Sequence, residues 1–161
     1  MANVKITELT AQTTTADATD VIPVVDVSAD ETKKITVANL ITAQARTFTA
    51  AQRGDISAVA VAAGDTTKQL NFATANNFAL TLANTASCQL DNPSDLTAGQ
   101  AGSIFIVQSS AGSHLLSYDT AWDFAGGTAP TLSTAADAVD RIDYIVRSAT
   151  SIHAVFTANY S

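Results

Sequence analysis

The chain has 161 residues, of which 47% are hydrophobic, 6% aromatic and 14% charged, enough for one domain with a core and an appended segment but not for two ordinary domains. A net charge of −7 with only 8 basic residues argues against nucleic acid as a partner, because neutralising phosphates takes clustered Lys and Arg. No apolar run approaches the roughly 20 residues that cross a bilayer, so no membrane partner is expected, and MANVKITELT lacks the apolar stretch of a secretion signal.

Charge is so sparse that the surface must be built largely from Thr, Ser, Asn and Gln. Threonine is stiff at its first side-chain torsion and favours a pleated strand, so composition leans all-β. Cys88 has no partner for an intrachain disulfide and supports no Cys-based metal site; it reads as a small buried hydrophobe.

Residues 1 to about 20 carry few large apolar groups and cannot offset the entropy of their own ordering, so they read as an extended arm that needs a partner. The β-branched runs VIPVVDVS and KKITVANL, separated by Ala29 to Thr32, read as a hairpin with a polar loop. Pro23 makes its strand an edge candidate. The stretch NLITAQARTFTAAQR follows, where Thr36 or Asn39 would cap one short helix and Thr49 another before Gly54 ends it. Residues 1–55 are thus expected to hold arm, hairpin and helical linker.

From Ile56 onward the pattern is strand, turn, strand: ISAVAVAA, TKQLNFA, NFALTLA, SCQL, GSIFIVQSS, SHLLSYD, DYIVRSA and SIHAVFTANY, broken by Gly, Asn, Asp, Pro or Ser. Many short strands at near-regular spacing predict a sandwich or barrel over 56–161, and a jelly-roll-like β-sandwich is the expected form. In NFALTL, Phe78, Leu80 and Leu82 face one way. In SIFIVQ, Ile104 and Ile106 oppose Phe105 and Val107, so both faces of that strand are expected to be buried. Ile142 and Tyr144 alternate with Asp143 and Ile145, and Ser148 to Ser151 turns the chain into a terminal hairpin.

No catalytic, cofactor or metal site is expected. His114 and His153 stand apart, outside any HExxH or HxH arrangement, and are read as lining strand faces. Asp137, Asp140 and Asp143 would share one face of a helix, but in a β-rich segment they scatter, which favours loop capping and pairing with Arg141 or Arg147 over calcium binding. SYDTAWDFAGG places Tyr118, Trp122 and Phe124 beside Asp119 and Asp123, a combination that can stack and hydrogen-bond a sugar and equally describes a subunit contact; packing or an interface is the favoured reading, and Tyr118, Trp122, Asp123 and Phe124 are the candidate outer-loop or interface residues. Gly126 and Gly127 permit a tight turn before Pro130 and precede no phosphate-binding helix. Arg53, Gly54 and Asp55 spell an adhesion tripeptide, and Asn159 to Ser161 a formal glycosylation sequon; both are better explained as turn and chain-end residues.

The opening KITELTAQTTTADATDVIPVVDVSADETKKITVANL resembles the N-terminal segment of many phage tail-fibre, head-fibre and virion-surface proteins, with an ITEL start, a DxxPVV strand and a TKKITVANL ending. The remainder, from TFTAAQRGDISAV through AWDFAGGTAPTLSTAADAVDRIDYIVRSATSIHAVF, is similar to a small β-domain found at the ends of phage fibre and decoration proteins. The resemblance implies a homotrimer on the virion surface, assembled in the host cytoplasm, with no catalytic motif to carry over. The expected partner is the phage major capsid protein. Val4, Ile6 and Leu9 of the arm, with Val21, Ile22 and Val24 of the hairpin, are the candidate attachment residues, suited to augmenting a neighbour's sheet or lying on a capsid. The runner-up is a short fibre or receptor-binding tip whose Tyr118 and Trp122 loop meets a host glycan. A depolymerase would need paired carboxylates along a groove, and the chain is poorly supplied with them.

Overall fold

The computed structural model describes residues 21–26, 31–36, 51 and 53–160. The arm at 1–20, with Val4, Ile6 and Leu9, and the expected helical linker lie outside the described residues. The chain divides between Gln52 and Arg53 into two units.

In the first unit, β1 (Val21–Asp26) and β2 (Glu31–Thr36) form an antiparallel pair, with Val21 opposite Thr36 and Asp26 opposite Glu31. This is the expected hairpin, with its second strand starting two residues early. Val21, Ile22 and Val24 lie on β1, and β-branching favours that conformation. Pro23, which has no N–H to donate, stands opposite Lys34, and among the described residues β1 and β2 pair only with each other.

The second unit is all-β. Its strands are β3 (Ile56–Val61), β4 (Thr67–Lys68), β5 (Asn77–Leu82), β6 (Cys88–Leu90), β7 (Ala101–Gln108), β8 (Leu116–Tyr118), β9 (Trp122–Phe124), β10 (Val139–Ser148) and β11 (Ser151–Thr157). They make a six-stranded sheet in the order β3-β5-β7-β10-β11-β9 and a three-stranded sheet in the order β4-β6-β8. From β3 to β8 the chain alternates between the two sheets, and each circuit lays a strand parallel to its predecessor in both. Parallel neighbours need a crossover, and here the strand of the opposite sheet supplies it. The chain then closes with β10, antiparallel to β7, and the terminal hairpin of β10 and β11.

Parallel circuits are not the antiparallel pairing of a jelly roll, so the expected jelly-roll form is corrected to this mixed arrangement. The error has a physical source: apolar alternation tells which side chains face the core, and it is the same for parallel and antiparallel neighbours.

Side chains from both sheets enter one core. In register, Val59, Leu80 and Ile106 form one inward rung across β3, β5 and β7, and Phe78 meets Ile104 on the next. Leu70, Phe72, Cys88 and Leu90 come from the chain around β4 and β6, and Ile142, Tyr144, Val146 and Ile152 from the hairpin. Fully burying each large aliphatic contributes about 1.5–3 kcal/mol. Cys88 is buried as expected, and burial pushes its thiol pKa up.

Candidate functional site: the outer face of the six-stranded sheet

Trp122, expected on an outer loop, lies in the core, on β9 beside Ile152 of β11. Its indole N–H donates to the Asp91 carbonyl oxygen at 3.2 Å, and its ring meets Phe72 and Tyr118 edge-on. The Tyr118 ring packs between Trp122 and Phe124, and burial, followed by the charge of Asp140, raises its hydroxyl well above the ordinary tyrosine range. The outer-loop assignment of Trp122 and Tyr118 is therefore corrected. Short β9 was read as loop because its three residues are too few to show alternation, yet they extend the sheet and turn the ring inward.

Asp123 and Phe124, by contrast, line a shallow groove of about 280 Å³ with Ala125, His153, Ala154 and Val155. The groove lies where β9 ends at Phe124 while β11 runs on to Thr157. Asp123 and His153 are neighbours in register. The Asp123 carboxylate accepts from the Ser151 hydroxyl at 2.6 Å, and Arg147 Nε donates to that same hydroxyl oxygen at 3.0 Å. Gly126 and Gly127, at φ of 78° and 70°, make the turn that follows and need the left-handed freedom of glycine.

His114 does not line a strand face as expected; it sits in the loop after β7. Its Nδ1 donates to the Asn84 carbonyl at 2.6 Å and its Nε2 lies 2.7 Å from Ser109 Oγ, which also accepts from the Ala111 N–H. The Gln108 side chain bonds both backbone groups of His114. The network ties the loop after β5 to the loop after β7. His153 is exposed on β11, as expected of a strand-face residue.

The three aspartates separate as strand geometry requires. Asp137 occupies a turn at φ 58°, Asp140 points into the core, and Asp143 points out. Asp140 accepts from the N–H groups of Ser133 and Asn159, whereas Asp143 pairs with Arg141 and accepts from Ser103. Among the described residues no cluster of His, Cys, Asp or Glu is placed to hold a metal ion.

The outward rows of the six-stranded sheet form the most distinctive surface. Ala58, Ala79 and Phe105 stand side by side across β3, β5 and β7, with Ala60, Thr81 and Val107 in the next row. Beyond them, Ile145 flanks His153, and Val155 flanks Asp143. Ile56, Ile145 and Val155 are 50%, 49% and 62% exposed, large values for aliphatic side chains, and all three lie on this face. Phe105 and Val107, expected to be buried like Ile104 and Ile106, are half-buried here. The outward row of the smaller sheet is polar by contrast, made of Thr67, Gln89 and Ser117. The signal for the apolar face was present in SIFIV, YIV and AVF, where apolar residues occupy both alternating sets.

Charge on this face is balanced. Arg141 and Asp143 meet at 2.8 Å, and the Arg141 guanidinium also lies 4.9 Å from the centre of the Tyr160 ring. No family model, no curated protein and no solved structure matches the chain.

Proposed function

We propose that this chain is a non-catalytic structural protein of the bacteriophage virion, a homotrimeric capsid decoration or cement protein that binds the outer head surface and stabilises the shell. The observation that carries this reading is the outward face of the six-stranded sheet, where no element of the second unit covers the exposed Ile56, Ile145 and Val155, on a domain whose buried polar side chains serve loops and strand ends. Large aliphatic side chains left exposed on a sheet face support a role as contact surface. The division of the chain at Gln52 and Arg53 supports separate attachment and projecting parts. In this reading the arm and the β1–β2 hairpin, with Val4, Ile6, Leu9, Val21, Ile22 and Val24, attach to the major capsid protein, while the second unit projects. The finer description of that unit as a sandwich belongs to this reading, supported by two sheets that share one core.

A second reading, a short fibre or receptor-binding tip that contacts a host glycan, draws on the groove beside β9. An aromatic edge from Phe124, a carboxylate from Asp123 and an imidazole from His153 are groups that recognise sugars.

The deciding experiment mixes the purified protein with genome-filled heads that lack it, pellets the heads, and counts bound copies while following head melting. Saturable binding at hundreds of copies with raised thermal stability is the expected result. Absence of head binding moves the assignment to a tail-borne tip. Deleting Met1 to Asp20 is expected to abolish attachment and leave a folded trimer; undiminished binding after the deletion removes the arm as the anchor.

A further inference from the structure

We propose that Ser109 is an acyl-acceptor site, a serine primed by His114 to take one acyl group from an aryl ester or a thioester. The site lies wholly within the second unit, and the inference stands apart from the capsid reading.

The chemistry follows from which atoms carry hydrogen. His114 Nδ1 is bonded at 2.6 Å to the Asn84 carbonyl oxygen, an acceptor, so Nδ1 holds the ring proton. In the neutral ring Nε2 is then a bare acceptor, and the Ser109 hydroxyl 2.7 Å away donates to it. This is the tautomer and orientation in which an imidazole draws the proton from a serine. Ser103 and Ser151 donate instead to the carboxylates of Asp143 and Asp123. A carboxylate, with an ordinary pKa of about 4, is a poor base for a hydroxyl, whereas an imidazole titrates close to neutral pH. Among the described residues Ser109 is the one serine whose hydroxyl meets a histidine.

The pair is also held in place. The Ser109 N–H donates to the Leu82 carbonyl, and the Ser109 carbonyl accepts from Gly112 and Asp137. The side chain of Gln108, itself buried, bonds both backbone groups of His114. Between these anchors Gly112 and Ser113 sit at φ of 65° and 64°. A non-glycine residue held there marks a loop that its surroundings over-determine, and such strain gathers at functional positions. Ser109 and His114 are half-buried, while Ser110, Ala111 and Ser113 beside them are exposed, so a small ester approaches the pair from solvent.

In the proposed step, Ser109 Oγ attacks the acyl carbonyl carbon as its proton passes to His114 Nε2. The bond from that carbon to the leaving group breaks, and the phenolate or thiolate departs with the proton as a neutral phenol or thiol. The ring returns to its starting form and Ser109 carries the acyl ester. A backbone carbonyl, not a carboxylate, orients Nδ1, so the transient imidazolium gains little charge stabilisation and the site is restricted to good leaving groups. The product is an alkyl ester with a poor leaving group, so the acyl group stays. The serine is consumed once, which makes this a covalent modification without turnover and compatible with a structural role.

The test incubates the full chain with p-nitrophenyl acetate and, separately, with a small acetyl thioester, and follows acetylation of each serine by peptide mass spectrometry. Ser109 should be acetylated about a hundredfold faster than Ser110 or Ser113. In His114→Gln, whose amide still donates to the Asn84 carbonyl but cannot act as a base, that advantage should vanish. The unmodified chain unfolded in urea is a control that needs no variant, and there too Ser109 should react like its neighbours. Equal acetylation of Ser109, Ser110 and Ser113 in the folded protein overturns the proposal. So does an advantage of Ser109 that persists in urea or in folded His114→Gln.

Discussion

The hydroxyl of Tyr144 donates to the backbone carbonyl oxygen of Asn76 at 2.8 Å, joining the middle of β10 to the loop that precedes β5. The Tyr118 hydroxyl is shut away from water and has no hydrogen-bond partner among the described residues. Removing an oxygen that makes a bond costs about 1 kcal/mol, whereas removing an unsatisfied buried one is neutral or stabilising. Tyr144→Phe should therefore lower the urea midpoint and Tyr118→Phe should hold or raise it. The opposite ranking would show that the hydroxyls are not placed as described.

The same pair sets an alkaline limit. Burial pushes the Tyr144 pKa from its ordinary 10 up to about 12, and that of Tyr118 is also raised. A tyrosine whose folded pKa lies above its unfolded one contributes stability that is complete below the unfolded value and is lost as pH climbs through the folded one. Urea stability should accordingly hold to about pH 10 and fall from there towards pH 12. In a Tyr118→Phe, Tyr144→Phe double variant the fall should be shallower. An unchanged slope in that variant would assign the alkaline loss to other groups.

Close backbone approach makes Gly102 a point of intolerance. A β-carbon there would sit 1.7 Å from the Asn76 carbonyl oxygen and 3.0 Å from the Tyr144 hydroxyl. Gly102→Ala must displace the same loop that Tyr144 holds, at a cost of about 3 kcal/mol or more. Gly64→Ala is the matched control, since nothing lies within 4 Å of its added carbon. Thermal melts that fail to separate the two variants would contradict the contact.

Much of this architecture was legible in the sequence, for a specific reason. Phe78, Leu80 and Leu82, Ile104 and Ile106, and Ile142 and Tyr144 are buried because alternation alone decides which residues of a strand face the core. The terminal hairpin and the β1–β2 pair follow from turn residues between β-branched runs. What alternation does not carry is the identity of the neighbouring strand, so the parallel circuits were not foreseen. TKQLNFA reads as a full strand, yet only Thr67 and Lys68 pair as one, while Leu70 and Phe72 reach the core from irregular chain. The site was legible only in part. Asp123 and Phe124 border the groove as a surface role requires, but the tryptophan between two aspartates looked exposed because the strand holding it is short. The outward Ile145 and Val155 were visible as apolar letters, though composition could not tell that nothing in the second unit covers them.

Because Trp122 packs against Phe72 and Tyr118, its loss should be felt as stability. Trp122→Ala removes a large buried ring and strands the Asp91 carbonyl, at a cost of about 3–5 kcal/mol. Since it is the only tryptophan in the chain, its emission also reports the core directly. Fluorescence should be blue-shifted in the native protein and move red in one step with urea unfolding. Native emission already at the wavelength of free tryptophan would place the ring in water and restore the outer-loop reading.

Asp140 is buried to 2% exposure, and its two carboxylate oxygens accept from the Ser133 N–H at 2.7 Å and the Asn159 N–H at 2.8 Å. It therefore pins both the segment leading into β10 and the chain end after β11. Asp140→Asn keeps the shape but turns an amide N–H₂ towards one of two backbone donors, so one bond is lost and a buried N–H is left unsatisfied, costing about 1–3 kcal/mol. Asp140→Ala loses both bonds and should cost more. The damage should also be local before it is global. Amide exchange should quicken first at Ser133 and Asn159, while Leu80 and Ile106 in the core rung stay protected until the whole domain opens. Uniform loss of protection in Asp140→Asn would mean that the carboxylate supports the core as a whole and not these two segments.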